Sequence, residues 1–183
     1  GPHDPYFVPE EYLKLYPLET IKLPDSCRDD LSDKPRLYQR TQKRFRQLTE
    51  KEQKKSLQHY LAFCSYEDAL FGELLDELEK QNLLDNTIVI YLSDHGDYAG
   101  AHGLWTKGLP CFEEAYHICS VIGYGKIQNR NAAVNDLVSL ADFAPTFLEL
   151  AGVEIQQKLA GKSLVPFLNG TTPHNWRTEM YTQ

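Results

Sequence analysis

The chain has 183 residues, of which 42% are apolar and 25% are charged, and its formal net charge is −7 at pH 7. This length and composition are typical of one globular domain with a core of its own. The negative charge argues against general binding to nucleic acid or anionic membranes, and no apolar run approaches the roughly 20 residues that span a bilayer.

The first 55 residues are predicted to be largely irregular. Six prolines in residues 1–40 disfavour long regular elements there, although a short helix is expected around "PEEYLKLY" (9–16). Residues 41–55 are strongly charged, which predicts a solvated helix or loop. A nucleic-acid patch is the alternative, but glutamates and glutamines interrupt the basic run and no aromatic residues alternate with it.

The rest of the chain alternates between helical and strand patterns. Apolar residues at helical spacing predict a helix from Ser56 to Gln81, and the apolar run "TIVIYL" (87–92) predicts a strand covered on both faces. "HICSVIGYG" (117–125) predicts a second inner strand. The order of these elements indicates an α/β fold with a largely parallel sheet flanked by helices.

The C-terminal third is predicted to contain a short strand, a helix and a loop-like tail. The strand is expected at "DLVSL" (136–140) and the tail at "LAGKSLVPFLNG" (159–170). The helix is expected in "ADFAPTFLELAG" (141–152), with Asp142 as N-cap, Pro145 in the first turn and Gly152 as the C-terminal stop.

The stretch "SDHGDYAGAHGLWTKG" (93–108) places polar groups directly after the strand 87–92. In open α/β sheets, ligands bind outside the carboxyl ends of the strands. Asp94 and His95 could both reach one cation if the chain turned sharply at Gly96, and Lys107 could then bind an anion beside it. The alternatives are that Asp94 caps a helix, that His95 fills a surface turn and that Lys107 is simply exposed.

The four cysteines give no support for a zinc or redox site, because no two of them have CxxC spacing. Buried or free thiols are the favoured interpretation, and a disulfide is the alternative. "NGT" at Asn169 is an N-glycosylation pattern that matters only in a secreted eukaryotic protein. The cysteines are Cys27, Cys64, Cys111 and Cys119.

Taken together, these motifs resemble the type I sulfatases of the alkaline phosphatase superfamily, in the branch that includes iduronate-2-sulfatase-like and choline-sulfatase-like enzymes. The resemblance runs from about residue 1 to residue 181, and its segments occur in the order and spacing of that family. It implies an alkaline-phosphatase-like fold. The segments that carry it are "GPHDPYFVPEEYLKLYP", "NTIVIYLSDHG", "GAHGLWTKG", "FEEAYHI", "DLVSLADFAPTFLELAG" and "LAGKSLVPFLNG".

The resemblance also implies roles for individual residues. Asp94 and His95 match metal ligands, and Lys107 matches the lysine that contacts the sulfate and its bridging oxygen. His3 matches the histidine that binds sulfate and protonates the leaving alcohol. The implied metal is calcium, with magnesium or manganese as alternatives. His102, which has a counterpart in the family, and Trp105 are further candidates for substrate binding, and packing within the loop is an equal alternative for both.

One departure from the family concerns the nucleophile. Sulfatases use a formylglycine made from the cysteine of a C-x-P-S-R motif, and none of the cysteines here has that context. The paired amino-terminal aspartates that complete the family's metal site are also missing. The resemblance therefore implies that residues 1–183 are the C-terminal portion of one catalytic domain, with an irregular substrate-side segment (1–55) and part of the α/β core (56–183). A separate N-terminal segment or chain would supply the nucleophile, and this chain alone would be inactive.

The expected function is hydrolysis of a sulfate ester, of either a sulfated glycan or a small sulfated metabolite. A phosphodiesterase or phosphonate monoester hydrolase of the same superfamily is the first alternative, because phosphoryl and sulfuryl groups have similar shapes. A non-catalytic fragment that binds anions is the second. The resemblance implies a lysosomal, periplasmic or secreted location.

Overall fold

A computed structural model describes residues 2–125 and 131–180 and confirms the α/β class. By its internal contacts the chain divides into two compact units, Gly1–Leu84 with Val89–Ile122, and Asp85–Ile88 with Gly123–Gln183. The helices of the described residues are α1 (Glu10–Leu13), α2 (Arg36–Lys43), α3 (Glu50–Lys80), α4 (Glu113–Tyr116), α5 (Phe143–Leu150) and α6 (Val165–Leu168), and the strands are β1 (Ile88–Leu92) and β2 (Ser120–Tyr124).

The long helix α3 begins at Glu50, so the predicted start at Ser56 was wrong. The cause is a capping box in which the Thr49 hydroxyl accepts a hydrogen bond from the backbone N–H of Glu52 at 3.3 Å. In return the Glu52 carboxylate accepts one from the Thr49 N–H at 2.8 Å. These two bonds satisfy amides that would otherwise lack partners at the helix start. The predicted end is confirmed, since Gln81 is the C-cap.

The two predicted strands are confirmed, and β1 and β2 are neighbours in a two-stranded sheet. The expected burial of β1 on both faces was wrong, because all five of its residues are only half-buried. Within the described residues β1 pairs with β2 alone, so its side chains lack the neighbours that would cover them. The short helix predicted in residues 9–16 is confirmed as α1.

In the second unit the helix at 141–152 is confirmed as α5, and the predictions for its flanks were partly wrong. Pro145 is buried in the first turn, and Gly152 follows the helix end with a φ of 69°, which favours glycine. Residues 136–140 form no strand, since Ser139 caps a 3-10 turn that leads into α5. The tail was predicted to be loop-like but contains α6, where Pro166 occupies the first turn and suits a helix start.

Two apolar clusters in the first unit hold the loop 93–108 in place. Trp105 packs with Ile21 and Leu57, while Tyr98 and Leu104 belong to a second cluster with Ala115. The loop therefore has buried anchors between Asp94 and His95 at its start and Lys107 near its end.

All four cysteines are free thiols, in line with the favoured interpretation of the sequence. None of the helices in residues 2–125 and 131–180 combines the length and apolarity that crossing a membrane requires.

Candidate active site

The end of β1 presents Asp94 and His95 on a sharp turn. The Ser93 hydroxyl donates to the His95 carbonyl at 2.5 Å, and the Gly96 N–H donates to the Ala115 carbonyl at 2.9 Å. A Cβ at Gly96 would lie 1.9 Å from the carbonyl oxygen of Glu114, so any side chain there would push the two backbone segments apart. Glycine is thus required at this turn by close backbone approach.

The hydrogen bonds of His95 indicate which of its nitrogens is free. Nδ1 lies 2.8 Å from the Gly96 carbonyl, which can only accept, so Nδ1 carries the proton. The lone pair is then on Nε2, which lies 3.6 Å from Asp94 Oδ2. A histidine whose second N–H is held by a backbone carbonyl is the usual arrangement of a metal ligand.

Asp94 is well suited to bind a cation. Its side chain is 83% exposed. The small degree of burial raises its pKa, but the imidazole and the backbone N–H of His95 outweigh that effect and hold the pKa below its usual value. The carboxylate is therefore ionised at neutral pH.

The pair of Asp94 and His95 fits part of a metal site. In residues 2–125 and 131–180 no group of three or more histidine, cysteine, aspartate or glutamate side chains is placed to hold an ion. Calcium takes about six to eight oxygen ligands, more than these two residues offer. The identity of the metal stays a prediction, and a complete site needs further ligands.

His3 and Lys107 come from distant parts of the sequence and meet beside this pair. The ammonium of Lys107 donates to His3 Nε2 and lies 3.7 Å from Asp4 Oδ1. His3 Nδ1 lies 2.6 Å from the Asp4 carbonyl, which assigns the proton to Nδ1 and the acceptor role to Nε2. The rings of His3 and His95 are 6.4 Å apart, centre to centre. The fold thus brings together the residues predicted for catalysis and for metal binding.

His102 is held by contacts on several sides. Its ring stacks on Phe112 at 3.8 Å, and its Nδ1 lies 2.9 Å from Asp29 Oδ2. Its carbonyl accepts from the Gln42 amide at 2.8 Å, and its φ of 55° is unusual for a residue other than glycine. Glu114 lies 3.8 Å from its other ring nitrogen. The contacts with Asp29 and Gln42 fasten the loop 93–108 to α2 and to the segment that precedes it.

Trp105 lies in the hydrophobic core, where its exposure is 4%. Its contacts are with apolar side chains of the first unit, and packing accounts for them. A substrate-binding role for Trp105 or for His102 stays a prediction.

Sequence reasoning missed two pairs that organise this region, Tyr6 with Asp97 and Asp29 with His102. Tyr6 lies close to His3 in the sequence, and Asp97 lies close to His95, so both stood inside motifs that were already recognised. No local signal pointed to Asp29, because its partner is 73 residues away.

The contact between Asp29 and His102 leads to a prediction about acid stability. The backbone N–H of Leu31, and then His102, hold the pKa of Asp29 below its usual value. The contact therefore stabilises the loop above the unfolded pKa of about 3.9, and this contribution is lost as pH falls through the lower folded value. We expect Asp29→Asn to weaken the loop by about 1 kcal/mol at pH 7 and to have little effect near pH 3.

Hydrogen exchange of peptides from residues 99–112 of the intact protein measures this effect, with both variants compared at the same pH. Asp33→Asn is the matched control, because Asp33 is exposed and, in the described part of the chain, its carboxylate pairs only with the neighbouring Lys34. Equal exchange of Asp29→Asn and the unaltered protein at pH 7 would contradict the prediction.

Comparison with known proteins connects the whole arrangement with one family. A protein-family model described as Sulfatase matches residues 1–153. The N-acetylglucosamine-6-O-sulfatase of Bacteroides thetaiotaomicron is 39% identical over 127 residues, which are 68% of this chain and 23% of that protein. Arylsulfatase K of Rattus norvegicus is also 39% identical over 127 residues, which are 69% of this chain and 22% of that protein. The chain thus spans about a quarter of the length of these relatives.

A solved structure shows the same fold over almost the whole chain. The phosphonate monoester hydrolase of Silicibacter pomeroyi superposes with a TM-score of 0.86 at 26% sequence identity. The match covers 96% of this chain and 37% of that protein.

Proposed function

Because this chain belongs to the sulfatase family, we propose that the protein that carries it hydrolyses a sulfate ester. The observation that supports this most is the meeting of His3 and Lys107 beside Asp94 and His95. The protein surface there carries a base that can accept a proton (His3), a cation (Lys107) and two potential metal ligands. That is the set of groups that transfer of an anionic group requires.

In this proposal Lys107 holds the sulfate group and His3 serves the leaving alcohol. Without substrate, the ammonium of Lys107 donates to His3 Nε2. A bound sulfate ester would take that donor, and the freed His3 Nε2 could then take up a proton from solvent. His3 could next donate this proton to the bridging oxygen as the bond to sulfur breaks.

Asp94 and His95 would hold a divalent cation, with calcium as the proposed ion and magnesium or manganese as alternatives. When bound, such an ion withdraws charge from sulfate oxygens and lowers the pKa of a coordinated hydroxyl group. The nucleophile is proposed to be a formylglycine from a segment or chain outside these 183 residues, which would make this chain the C-terminal portion of one catalytic domain. The chain alone would then be inactive.

The proposed substrate is a sulfated sugar. One relative is named for its action on 6-O-sulfated N-acetylglucosamine, and that compound is therefore the first to test. The second candidate is hydrolysis of a phosphonate or phosphate ester, which the likeness to the Silicibacter pomeroyi enzyme supports. A fragment that binds anions without turnover is the third.

A direct comparison of two esters tests the proposal. The intact protein is assayed with 4-nitrophenyl sulfate and with 4-nitrophenyl phenylphosphonate, which share a leaving group, and then with 6-O-sulfated N-acetylglucosamine. We expect kcat/KM to be higher for the sulfate ester. A preference for the phosphonate would favour the second candidate, and binding of sulfate with no turnover of either ester would favour the third.

Removal of a metal ligand leads to a second prediction. We expect Asp94→Asn to lower the affinity of the intact protein for its divalent ion by more than roughly 10-fold. Loss of a residue that only hydrogen-bonds to a metal ligand already lowers metal affinity by about that factor. Competition with a chelator and elemental analysis measure this. Asp76→Asn is the control, because Asp76 is exposed on α3, and equal metal affinity of both variants would remove Asp94 from the site.

A further inference from the structure

A hydrogen bond between Tyr6 and Asp97 joins two segments that are 91 residues apart. The Tyr6 hydroxyl donates to Asp97 Oδ2, while Asp97 Oδ1 accepts from the Ala99 N–H at 2.8 Å. Both side chains are half-buried. A hydrogen bond to a carboxylate that is partly withdrawn from water is stronger than one at the surface.

Each partner of this bond lies next to residues of the proposed active site. Tyr6 follows His3 by three residues, and Asp97 follows His95 by two residues and precedes Lys107 by ten. The bond therefore ties the segment that carries His3 to the loop that carries the metal ligands and the lysine.

Tyr6 is also anchored to the long helix α3. Its ring packs edge-on against Tyr60 with centroids 5.6 Å apart, and its carbonyl lies 3.2 Å from His59 Nδ1. A displacement of Tyr6 would therefore disturb contacts with a helix as well as with the loop.

The contacts of His3 itself are exposed. The side chains of His3 and Asp4 are 61% and 48% exposed, and both meet Lys107 at the surface. Exposed pairs of this kind contribute about 0–1 kcal/mol to stability, which is too little to hold the segment that carries His3 in one position. A fixed position of His3 thus requires an anchor that is less exposed, and Tyr6 supplies it.

We propose that the hydrogen bond from Tyr6 to Asp97 positions His3 for proton transfer to the leaving group. The proposal rests on the function proposed above. Tyr6 touches no reacting atom in it and acts only through His3, so it is a positioning residue. An error of about 1 Å in the place of a catalytic group can cost up to roughly 100-fold in rate, so loss of one anchoring bond has a measurable effect.

The experiment uses a series of aryl sulfates whose leaving phenols differ in pKa. Such a series reports proton donation, because a poor leaving group needs the acid and a good one does not. For Tyr6→Phe in the intact protein we expect kcat/KM to fall about 10-fold with the poorest leaving group and less than about twofold with the best. His3→Ala should give a steeper dependence on leaving-group pKa than Tyr6→Phe.

Tyr16→Phe is the matched control. It removes a hydrogen bond of 2.7 Å between the Tyr16 and Ser65 hydroxyls, which also ties the N-terminal segment to α3 but does not involve the loop 93–108. We expect its leaving-group dependence to equal that of the unaltered protein.

The double variant of Tyr6→Phe with His3→Ala separates a positioning role from a general loss of structure. If Tyr6 acts through His3, the double variant matches His3→Ala alone. If the losses of kcat/KM from the two substitutions add in the double variant, the role proposed for Tyr6 is overturned while that of His3 stands. The same holds if Tyr6→Phe and the unaltered protein depend equally on leaving-group pKa. If the kcat/KM of His3→Ala depends on leaving-group pKa no more steeply than that of the unaltered protein, the proposed role of His3 fails and the role of Tyr6 fails with it.

Discussion

Replacement of Lys107 by alanine in the intact protein is expected to lower kcat for a sulfate ester by about 10²- to 10³-fold, the usual cost of losing one donor to developing charge. The reason lies in the position of its ammonium, which donates to His3, whose ring lies 6.4 Å from that of the proposed metal ligand His95. Negative charge grows on the bridging oxygen as the ester bond breaks, so a cation there stabilises the transition state more than the bound ester. We therefore expect kcat to change more than KM.

Steady-state kinetics with 4-nitrophenyl sulfate measures this effect. Lys14→Ala is the control, because Lys14 is an exposed lysine of the same unit whose ammonium pairs only with Glu10 within residues 2–125 and 131–180. Lys107→Arg adds a second comparison, since arginine keeps the charge but replaces a compact ammonium with a planar fork. A kcat of Lys107→Ala that equals that of the control would remove Lys107 from the proposed mechanism.

Replacement of Arg177 by alanine is expected to destabilise the second unit by about 3–5 kcal/mol, because it leaves a buried carboxylate without its cation. Asp142 is fully buried, and both of its oxygens accept from the guanidinium, with Oδ1 at 2.6 Å from Arg177 Nη2. The backbone N–H groups of Lys162 and Ser139 donate to the same carboxylate, each at 2.8 Å. This network joins the start of α5 to two later segments of the unit.

The effect of Arg177→Ala should depend on pH. Burial raises the pKa of Asp142, but the hydrogen bonds from Arg177, Lys162 and Ser139 outweigh it and hold the pKa below its usual value. The pair thus stabilises the fold above the unfolded pKa of about 3.9, and the stabilisation is lost as pH falls through the lower folded value. The difference between the variant and the unaltered protein should therefore be largest near pH 7 and smallest near pH 3.

Hydrogen exchange of peptides from residues 139–177 gives the free energy of opening of this unit in the intact protein. Arg40→Ala is the control, because Arg40 is exposed on α2 in the other unit. We expect the double variant Asp142→Asn with Arg177→Met to recover part of the loss, because no buried charge remains. Unchanged exchange of Arg177→Ala at pH 7 would show that the pair contributes little.

The sequence predicted those elements whose signals are local. The apolar spacing of α3, the β-branched run of β1 and the positions of Pro145 and Gly152 around α5 all depend on neighbouring residues, and the structure has these elements. The start of α3 was misplaced, although the capping residues Thr49 and Glu52 stand in the sequence at the required spacing. The strand expected at residues 136–140 was wrong, because Ser139 instead caps the turn before α5.

By itself, the sequence determined that Asp94 and His95 follow β1 together and that glycine comes next. Residues that are adjacent in the sequence lie close in space however the rest of the chain folds. Only the tertiary structure decided that Lys107 meets His3 across 104 residues and that Tyr6 and Asp97 hold their segments together. The same is true of Asp142, whose guanidinium partner lies 35 residues away. The physical reason is that contacts between distant residues depend on how buried side chains pack within each unit, as those around Trp105 do in the first, and no local pattern of residue types encodes that packing.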